Sequence, residues 1–316
     1  MNKILIITYY WPPGGGAGVQ RWLKFAKYLP EHGWEPVILT VDPEYATYPA
    51  IDTSLAEELP VNIPVHRTPA TDWFRIYSSD KSKIPSAGFA SNPQESFMGK
   101  VSRFIRGNFF IPDPRRGWNK YAFRKACEII EKEKIVTFVT TSPPHSTQLI
   151  GIRLKKKYPG IKWLADIRDP WTDIYYYDQF YPTWISKKID SGYEKQVLVK
   201  ADRIVSVGFM LKELLAGKHP GAKSKIEVIT NGFDESDFSH IRRDEPSRFT
   251  ITYVGTLSEK YPVKGFLHAL KEVQKKSDFV LRIVGTIPEN IKEQIAGSVS
   301  SESLEFIPYK IGRAHV

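Results

Sequence analysis

Segments typical of buried strands alternate with segments typical of amphipathic helices, and this alternation constrains the fold more than any other feature. KILIIT near the N-terminus reads as a buried strand, and residues 18–32 then place Val19, Trp22 and Leu23 on one helix face. The later strand-like segments are PVILTV, IVTFVT, KWLADI, RIVSV, KIEVIT, FTITYVG, FVLRIVG and LEFIPY. Helices between strands allow parallel pairing, so the sequence predicts an α/β fold with doubly wound parallel sheets.

The strand pattern divides the chain into two domains. Residues 1–233 complete one Rossmann-like domain, polar residues 234–248 read as a linker, and residues 249–310 begin a second α/β domain. Residues 60–92 contain proline and serine and are expected to be rich in loops. Helices are predicted over residues 18–32, 96–106, 118–131, 145–157, 184–200, 210–217, 265–276 and 289–296.

The second domain stops after three predicted strands, too few to bury a doubly wound sheet on both faces. The final residues 311–316, IGRAHV, correspond to the translation of part of a short-read sequencing adapter. We therefore expect residues 311–316 to be an artefact and the natural second domain to continue. The alternative is a natural terminus at this point.

The cysteine content and the apolar segments of the sequence bear on the cellular compartment of the protein. Cys127 is the one cysteine, so an intramolecular disulfide is impossible, and its apolar neighbours predict a buried helix position. No secretory signal or membrane-length apolar run is present. We therefore expect a cytoplasmic protein, with peripheral attachment to the inner face of the membrane left open.

The formal net charge is +10, and part of the excess lies between residues 100 and 125, where basic and aromatic side chains are interleaved. Such a segment can lie on an anionic membrane surface. The alternative is a solvated helix face that packs through its aromatic residues. Nucleic acid is not expected as a partner, because no binding motif accompanies the charge.

The stretch ITYYWPPGGGAGVQRW places Gly14, Gly15, Gly16 and Gly18 between the first strand and the first helix. Val19 occupies the third small position of a dinucleotide fingerprint, and no P-loop motif occurs. A glycine turn that opens a helix still lets backbone N–H groups approach an anion closely. A dehydrogenase remains an alternative, because Asp42 ends the second strand, where a dehydrogenase would hold the ribose.

Three further polar loops follow predicted strands. TTSPPHS carries His145, DIRDPW carries Arg168 and Asp169, and TNGFD carries Asn231. Open α/β sheets bind ligands at the carboxyl ends of their strands, so these loops are expected to line one cleft. The histidines lack metal-ligand spacing and no cysteine cluster or D-x-D triplet occurs, so no metal is expected.

Taken together, these motifs resemble family-4 glycosyltransferases of the GT-B fold, which have two facing Rossmann-like domains. The resemblance rests on YYWPPGGGAGVQRWLKFAKYLPEHGWEPVILT, DIRDPW, YEKQVLVKADRIVSVGFMLKELL, EVITNGFD and ITYVGTLSEKYPVKG. It implies a retaining, hexosyltransferase-type enzyme that moves a sugar from a nucleotide-sugar to a glycan acceptor. The acceptor is expected to be lipid-linked, in the synthesis of surface polysaccharide or lipopolysaccharide.

The resemblance also implies roles for individual residues. His145 and Asp169 would be catalytic, and Arg168 and Asn231 would shape the acceptor side. The residues expected at the donor are Gly15, Gly16, Gly255, Lys264 and, as an alternative cation, Lys260. Backbone donors and cations would stabilise the departing diphosphate without a cofactor or metal.

One departure from the family pattern bears on activity. Glu227 and Glu235 form the only E-x7-E spacing, and they span a strand and the linker instead of a donor site. We therefore expect the 316 residues to be inactive as a transferase. The alternatives are another GT-B enzyme, such as a sugar-nucleotide epimerase, and a non-catalytic protein that binds nucleotides or glycans.

Overall fold

The structure is a computed structural model that describes residues 2–59, 62–73, 97–238, 247–258 and 261–308. It contains two compact units, Met1–Gly232 and Phe233–Val316, which are described separately. The division lies one residue before the boundary that the sequence predicted.

The first unit contains a seven-stranded sheet in which every pair of neighbouring strands is parallel. Its strands are β1 Asn2–Ile7, β2 Trp34–Val41, β3 Val65–Thr68, β4 Thr137–Ser142, β5 Lys162–Ile167, β6 Arg203–Ser206 and β7 Ile226–Val228. Its described helices are α1 Ala17–Tyr28, α2 Ser54–Glu57, α3 Phe97–Phe109, α4 Asn119–Glu133, α5 Ser146–Lys157, α6 Trp184–Lys200 and α7 Phe209–Lys218. Described 3-10 turns cover Leu29–His32, Pro114–Trp118, Tyr177–Phe180 and Pro220–Lys225.

The strand order is β3-β2-β1-β4-β5-β6-β7. Strands β1 to β3 extend the sheet toward one edge and β4 to β7 extend it toward the other, so the order of strands reverses between β1 and β4. Ile7 is in register with Leu39 on one side and with Thr140 on the other. The loops after β1 and β4 therefore diverge from neighbouring points on the sheet edge. This is where an open α/β sheet forms its ligand crevice.

Both faces of the sheet are covered, as the continuous apolar strands predict. Successive residues of β1 enter different cores: Leu5 and Ile7 pack in one cluster with Phe138, while Ile4 and Ile6 pack in the other. Because side chains alternate along a strand, one apolar segment supplies both layers. The α/β fold predicted from the sequence is confirmed.

Strand β3 was not predicted from the sequence and lies in the stretch expected to be rich in loops. Val65–Thr68 pairs with β2 from Ile38 to Val41, although the segment VHRT lacks the apolar run of the other strands. An edge strand pairs on one side and needs less burial, which explains the weak signal. Residues 60–61 and 74–92 of that stretch lie outside the described residues. Cys127 is buried, as predicted.

The second unit has a parallel three-stranded sheet in the order β10-β9-β8, from β8 Thr250–Thr256, β9 Val280–Thr286 and β10 Leu304–Ile307. Helices α8 Val263–Gln274 and α9 Glu289–Ala296 connect the strands, and 3-10 turns cover Glu235–Asp237 and Ser301–Ser303. Phe279, Leu281 and Ile283 lie in its core with both helices. Residues 239–246 of the predicted linker and residues 311–316 lie outside the described residues.

Candidate functional site

A cavity of about 290 Å³ lies in the first unit, beside the glycine loop and the loops that follow β4 and β5. It combines aromatic rings, two carboxylates and two arginines. Its lining is Tyr10, Gly15, Gly16, Ala17, Gly18, Pro49, Arg106, Gly107, Ile111, Pro112, Asp113, Arg115, Pro143, Pro144, His145, Trp171, Ile174, Tyr176, Tyr177, Phe180, Pro182 and Asp190. His145, Gly15 and Gly16 therefore line the same cavity. The sequence predicted that loops at this edge of the sheet would lie close together.

The glycine loop presents the start of α1 to this cavity. Gly16 has φ of 91°, and a Cβ atom there would meet no heavy atom within 4 Å, so the loop is open at this point. No side chain caps α1, and its first turn contains no acidic residue. The first N–H groups of the helix and its dipole are therefore suited to an anion or an oxygen-rich ligand.

Gly15 has a different role from Gly16. Its N–H donates to the Ala50 carbonyl at 2.9 Å, and a Cβ atom on Gly15 would lie 3.0 Å from the Asp52 side chain. Gly15 therefore permits close packing of two loops, and its N–H is already used. Of the two glycines expected to approach the donor, Gly16 is the one whose surroundings are open.

His145 lies immediately before α5, and its ring stacks on Trp171 with centroids 4.7 Å apart and planes 14° apart. Burial lowers the pKa of His145 to about 4, outweighing the opposing influence of Asp113 and the Pro170 carbonyl. The imidazole is therefore neutral at pH 7. Its Nδ1 atom is buried without a hydrogen-bond partner. A neutral ring of this kind can exchange hydrogen bonds with a hydroxyl group.

Asp190 supports this ring through Trp171. The Trp171 indole N–H donates to Asp190 at 2.7 Å, and the Tyr177 hydroxyl donates to its other oxygen at 2.9 Å. The Asp190 side chain is buried, and this burial raises its pKa to about 6 despite the two hydrogen bonds. Asp190 therefore anchors the two aromatic side chains that form one wall of the cavity.

Asp113 holds the chain next to His145 in place. Its carboxylate accepts hydrogen bonds from the Ser146 N–H and hydroxyl, both at 2.8 Å, and from the Arg115 N–H at 3.0 Å. A carboxylate at the first turn of α5 satisfies an unpaired helix N–H and favours the positive end of the helix dipole. This contact fixes the backbone next to His145.

Arg168 holds two loops together instead of projecting into the cavity. Its guanidinium donates to the carbonyls of Ser142, Pro143 and Gly18 at 3.1, 3.2 and 3.0 Å. The glycine loop is thereby joined to the loop that carries His145. Asp169 follows it, does not line the cavity, and has a pKa raised by burial, with Arg168 opposing the change.

Asn231 also lies outside the cavity lining. Its amide oxygen accepts a hydrogen bond from Arg21 at 2.9 Å. Arg21 in turn forms a buried ion pair with Asp166 at 3.3 Å, and Trp22 donates to the same carboxylate at 2.7 Å. Asn231 is therefore part of a network that ties α1 to the ends of β5 and β7.

The predicted donor residues of the second unit occupy separate elements. Gly255 lies in β8 with φ of 147°, and Lys264 lies in the first turn of α8. Gly285 of β9 packs against Gly255 so closely that a Cβ atom there would lie 1.9 Å from the Gly255 carbonyl. Lys260 lies outside the described residues.

Two kinds of feature are absent among the described residues, a metal-binding cluster and a membrane-spanning helix. Within the described ranges, no group of three or more His, Cys, Asp or Glu side chains is placed to hold a metal ion. In the same part of the chain, no helix has both the length and the apolar character needed to cross a bilayer. The expectation that no metal is required stays a prediction.

The sequence matches no protein-family model and no curated protein. Comparison with solved structures gives matches along nearly the whole chain. HepE from Anabaena, solved with UDP, aligns with a TM-score of 0.56 at 12% identity, over 98% of this chain and 69% of that one. A glycosyltransferase from Rickettsia africae aligns with a TM-score of 0.55 at 17% identity, over 98% and 69% of the two chains.

The lipopolysaccharide outer core galactosyltransferase WaaB is a third similar structure. It aligns with a TM-score of 0.51 at 12% identity, over 98% of this chain and 68% of that chain. At such identities the similarity establishes the fold. The chain has the two-unit Rossmann-like architecture of glycosyltransferase structures, so the predicted GT-B fold class is confirmed.

The cavity lining includes four residues that were not predicted from the sequence as site residues: Asp113, Trp171, Tyr177 and Asp190. Trp171 had a usable signal, because it belongs to the quoted DIRDPW motif. Asp190 had none, because it is one acid inside a helix and only the packing of α6 against the β5 loop buries it. These positions are functional candidates through their contacts with His145 and the cavity wall.

Proposed function

We propose that this protein is a retaining, hexosyltransferase-type glycosyltransferase of family 4, which moves a sugar from a nucleotide-sugar to a hydroxyl group. The proposed acceptor is a lipid-linked glycan in surface polysaccharide or lipopolysaccharide synthesis at the cytoplasmic face of the membrane. The observation that carries the proposal is the cavity in which the uncapped start of α1 and the neutral ring of His145 meet.

The cavity has the chemistry of an acceptor site. Tyr10, Trp171, Tyr176 and Phe180 offer apolar ring surfaces for the C–H faces of a sugar or for an isoprenoid-like chain. His145 can accept a hydrogen bond from a sugar hydroxyl without carrying charge at pH 7. The proposed catalytic role of His145 is to orient that hydroxyl.

Departure of the nucleoside diphosphate is the step at which negative charge develops. Preorganised N–H groups at the start of α1, beginning at the open turn of Gly16, would stabilise that charge. From the second unit we propose Gly255 and Lys264, with Lys260 as the alternative cation. This charge stabilisation requires no metal or other cofactor.

We assign Arg168 a positioning role, because its guanidinium is bonded to three loop carbonyls. Asp169, next to it, remains the second proposed catalytic residue, and Asn231 remains on the proposed acceptor side through its bond to Arg21. Transfer is expected to need an E-x7-E pair at the donor, and these 316 residues carry that spacing only outside a donor-site context. We therefore propose that the 316 residues bind ligands without catalysing transfer. Ligand binding is therefore the readout for the 316 residues.

The test is protection against thermal unfolding by UDP, UDP-glucose and other nucleotide-sugars, with NAD as the comparison ligand. A ligand at 100 times its Kd stabilises the folded state by about 2.7 kcal/mol. Acceptor-type glycans are tested in the same way on His145→Ala and on the control His219→Ala, which lies outside the cavity. We expect glycan protection to be lost only in His145→Ala.

Other outcomes would identify the alternatives. Protection by NAD alone would contradict the proposal and favour a dehydrogenase. Conversion of a nucleotide-sugar to its epimer without an acceptor would favour an epimerase. Binding with no transfer by a chain that includes an E-x7-E pair would favour a non-catalytic binding protein.

A further inference from the structure

A groove of about 390 Å³ lies between helices α4, α5 and α6 of the first unit. We call it the α4–α5–α6 groove. Three positively charged side chains line it: Arg116, which lies before α4, Lys120 of α4 and Arg153 of α5. None of its lining residues also lines the cavity of the candidate site, so the groove is a separate site.

The positive charge of this groove is not balanced locally. Among the described residues, no carboxylate belongs to the lining. In the same ranges, Arg116, Lys120 and Arg153 form no ion pair with a carboxylate. The acid adjacent to the α6 part of the lining, Glu194, is buried and pairs with Lys218. Like charges gathered around one groove repel each other, so a bound anion would lower their energy.

Two of the three cations are held in place by other groups of the protein. The Arg116 guanidinium donates to the Ile111 carbonyl at 2.7 Å. The Arg153 guanidinium lies over the Phe123 ring, 4.0 Å from the ring centroid. A guanidinium that is already oriented loses little freedom on binding, and its planar fork matches the paired oxygens of a phosphate group.

The floor of the groove combines a firm apolar base with a buried amide. Leu149, Ile152 and Tyr193 line the groove and pack against the main core of the first unit. The Asn119 side chain is buried, and its amide nitrogen donates to the Ser146 carbonyl at 2.8 Å. Its amide oxygen has no hydrogen-bond partner among the described residues. A buried oxygen of this kind favours a ligand that carries hydroxyl groups as donors.

We propose that the α4–α5–α6 groove binds a small soluble phosphate ester of a hydroxylated compound, such as a sugar phosphate. In this assignment Arg116 and Arg153 bind the phosphate oxygens, and Lys120 adds a third positive charge at the same group. Tyr193 and Gln196 offer hydrogen-bonding groups to the hydroxyls of the ligand. A volume of about 390 Å³ is in the range of small-molecule sites.

The lining favours this ligand class over two others. An uncharged glycan would leave three neighbouring cations without a counter-charge. An extended acidic peptide would gain most from cations spread along a surface, whereas these three surround one groove. A compact anion with hydroxyl groups satisfies both the cations and the buried amide oxygen of Asn119.

The groove could not be recognised from the sequence, which showed a single basic segment over residues 100–125. In the structure, neighbouring members of that segment are separated: Arg115 lines the cavity, whereas Arg116 and Lys120 line the groove. The third cation, Arg153, comes from α5. Folding therefore divides the basic segment between two sites and completes the second one from another helix.

The test is isothermal titration calorimetry of the full 316-residue chain with glucose 6-phosphate, inorganic phosphate and, for comparison, glucose. We expect both phosphate compounds to bind at millimolar concentration or below. Glucose 6-phosphate should bind more tightly than inorganic phosphate, and glucose at least about tenfold more weakly than its phosphate ester, since it lacks the charge-assisted hydrogen bonds. Binding of the phosphate compounds should weaken as the salt concentration is raised.

Two double variants with the same loss of charge assign the binding to the groove. Lys120→Gln combined with Arg153→Gln should lower the affinity for glucose 6-phosphate at least about tenfold, the effect of losing one charge-assisted hydrogen bond. The matched control combines Arg124→Gln with Lys156→Gln, which are exposed positions of the same two helices outside the groove. The control should bind like the wild type, and circular dichroism checks that both variants remain folded.

Four results would overturn the proposal. One is the absence of binding by either phosphate compound at low salt. The second is unchanged affinity in the Lys120 and Arg153 double variant, which would place the anion elsewhere. The third is an equal loss in both double variants, which would indicate a general effect of charge. The fourth is tighter binding of a poly-glutamate peptide that the same double variant abolishes, which would assign the groove to an acidic protein segment.

This proposal does not depend on the proposed transferase function. Phosphate binding at the groove is measured without any transfer reaction, and the variants leave the cavity lining unchanged. Loss of glycan protection in His145→Ala tests the candidate site, whereas the Lys120 and Arg153 variant tests the groove. Either result can fail while the other stands.

Discussion

Replacement of Asp190 by asparagine should change how the stability of the protein depends on pH. Burial raises the pKa of Asp190 from 3.8 to about 6. The folded state therefore binds a proton between pH 6 and 3.8 that the unfolded state does not bind. Stability from this group rises as the pH falls through 6 and is complete below 3.8. A difference of about 2 pK units corresponds to about 3 kcal/mol.

The measurement is urea unfolding of the wild type and Asp190→Asn at pH 7, 6, 5 and 4, followed by tryptophan fluorescence. Asparagine cannot titrate but still accepts the Trp171 hydrogen bond. Relative to the variant, the wild type should therefore gain about 2 kcal/mol between pH 7 and pH 4, and the remainder of the total of about 3 kcal/mol below pH 4. Parallel curves for the two proteins would refute the claim that Asp190 is buried and titrates in the folded state.

His145→Gln provides a control of opposite sign. Burial lowers the pKa of His145 from 6.5 to about 4, so the unfolded state alone binds the proton between these values. Relative to His145→Gln, the wild type should lose about 3 kcal/mol as the pH falls from 7 to 4. If both variants changed in the same direction, the different environments assigned to the two groups would be wrong.

Three further predictions concern positions outside this pair. Asp166→Ala should destabilise the first unit by about 3–5 kcal/mol in denaturant unfolding, because it leaves buried Arg21 without its carboxylate; a loss below 1 kcal/mol would contradict this. Gly285→Ala should unfold the second unit selectively, detected by hydrogen exchange, because its Cβ would overlap the Gly255 carbonyl. Arg168→Lys should weaken glycan binding while changing Tm little, because lysine cannot bridge three carbonyls. A glycan affinity equal to that of the wild type would contradict the positioning role of Arg168.

Much of the fold could be predicted because its signals are local. The helices over residues 184–200 and 289–296 were predicted with their observed bounds, since each has a continuous helical pattern between strand or turn signals. Strand β3 was missed because Val65–Thr68 is stabilised by pairing with β2, and its own residues carry little pattern. Pairing between strands that are far apart in the sequence cannot be predicted from the four residues of one strand.

The candidate site was predictable to a smaller extent. The sequence identified the loops that meet at the sheet edge, because carboxyl ends of parallel strands share one edge. It could not assign the direction of each side chain within those loops. Gly15 and Gly16 are neighbours with similar sequence signals, yet one N–H is bonded to Ala50 and the other residue faces open space.

The sequence by itself determined the alternation of strands and helices, the glycine turn before α1 and the position of His145 before α5. These are consequences of residue spacing and backbone preference, which act over a few residues. Only the tertiary structure decided that Asp190 accepts a hydrogen bond from Trp171 and that Thr183 donates to Asn108 of α3. Burial and charge environment are set by neighbours far away in the chain, so the raised pKa of Asp190 arises only when α6 packs against the loop after β5.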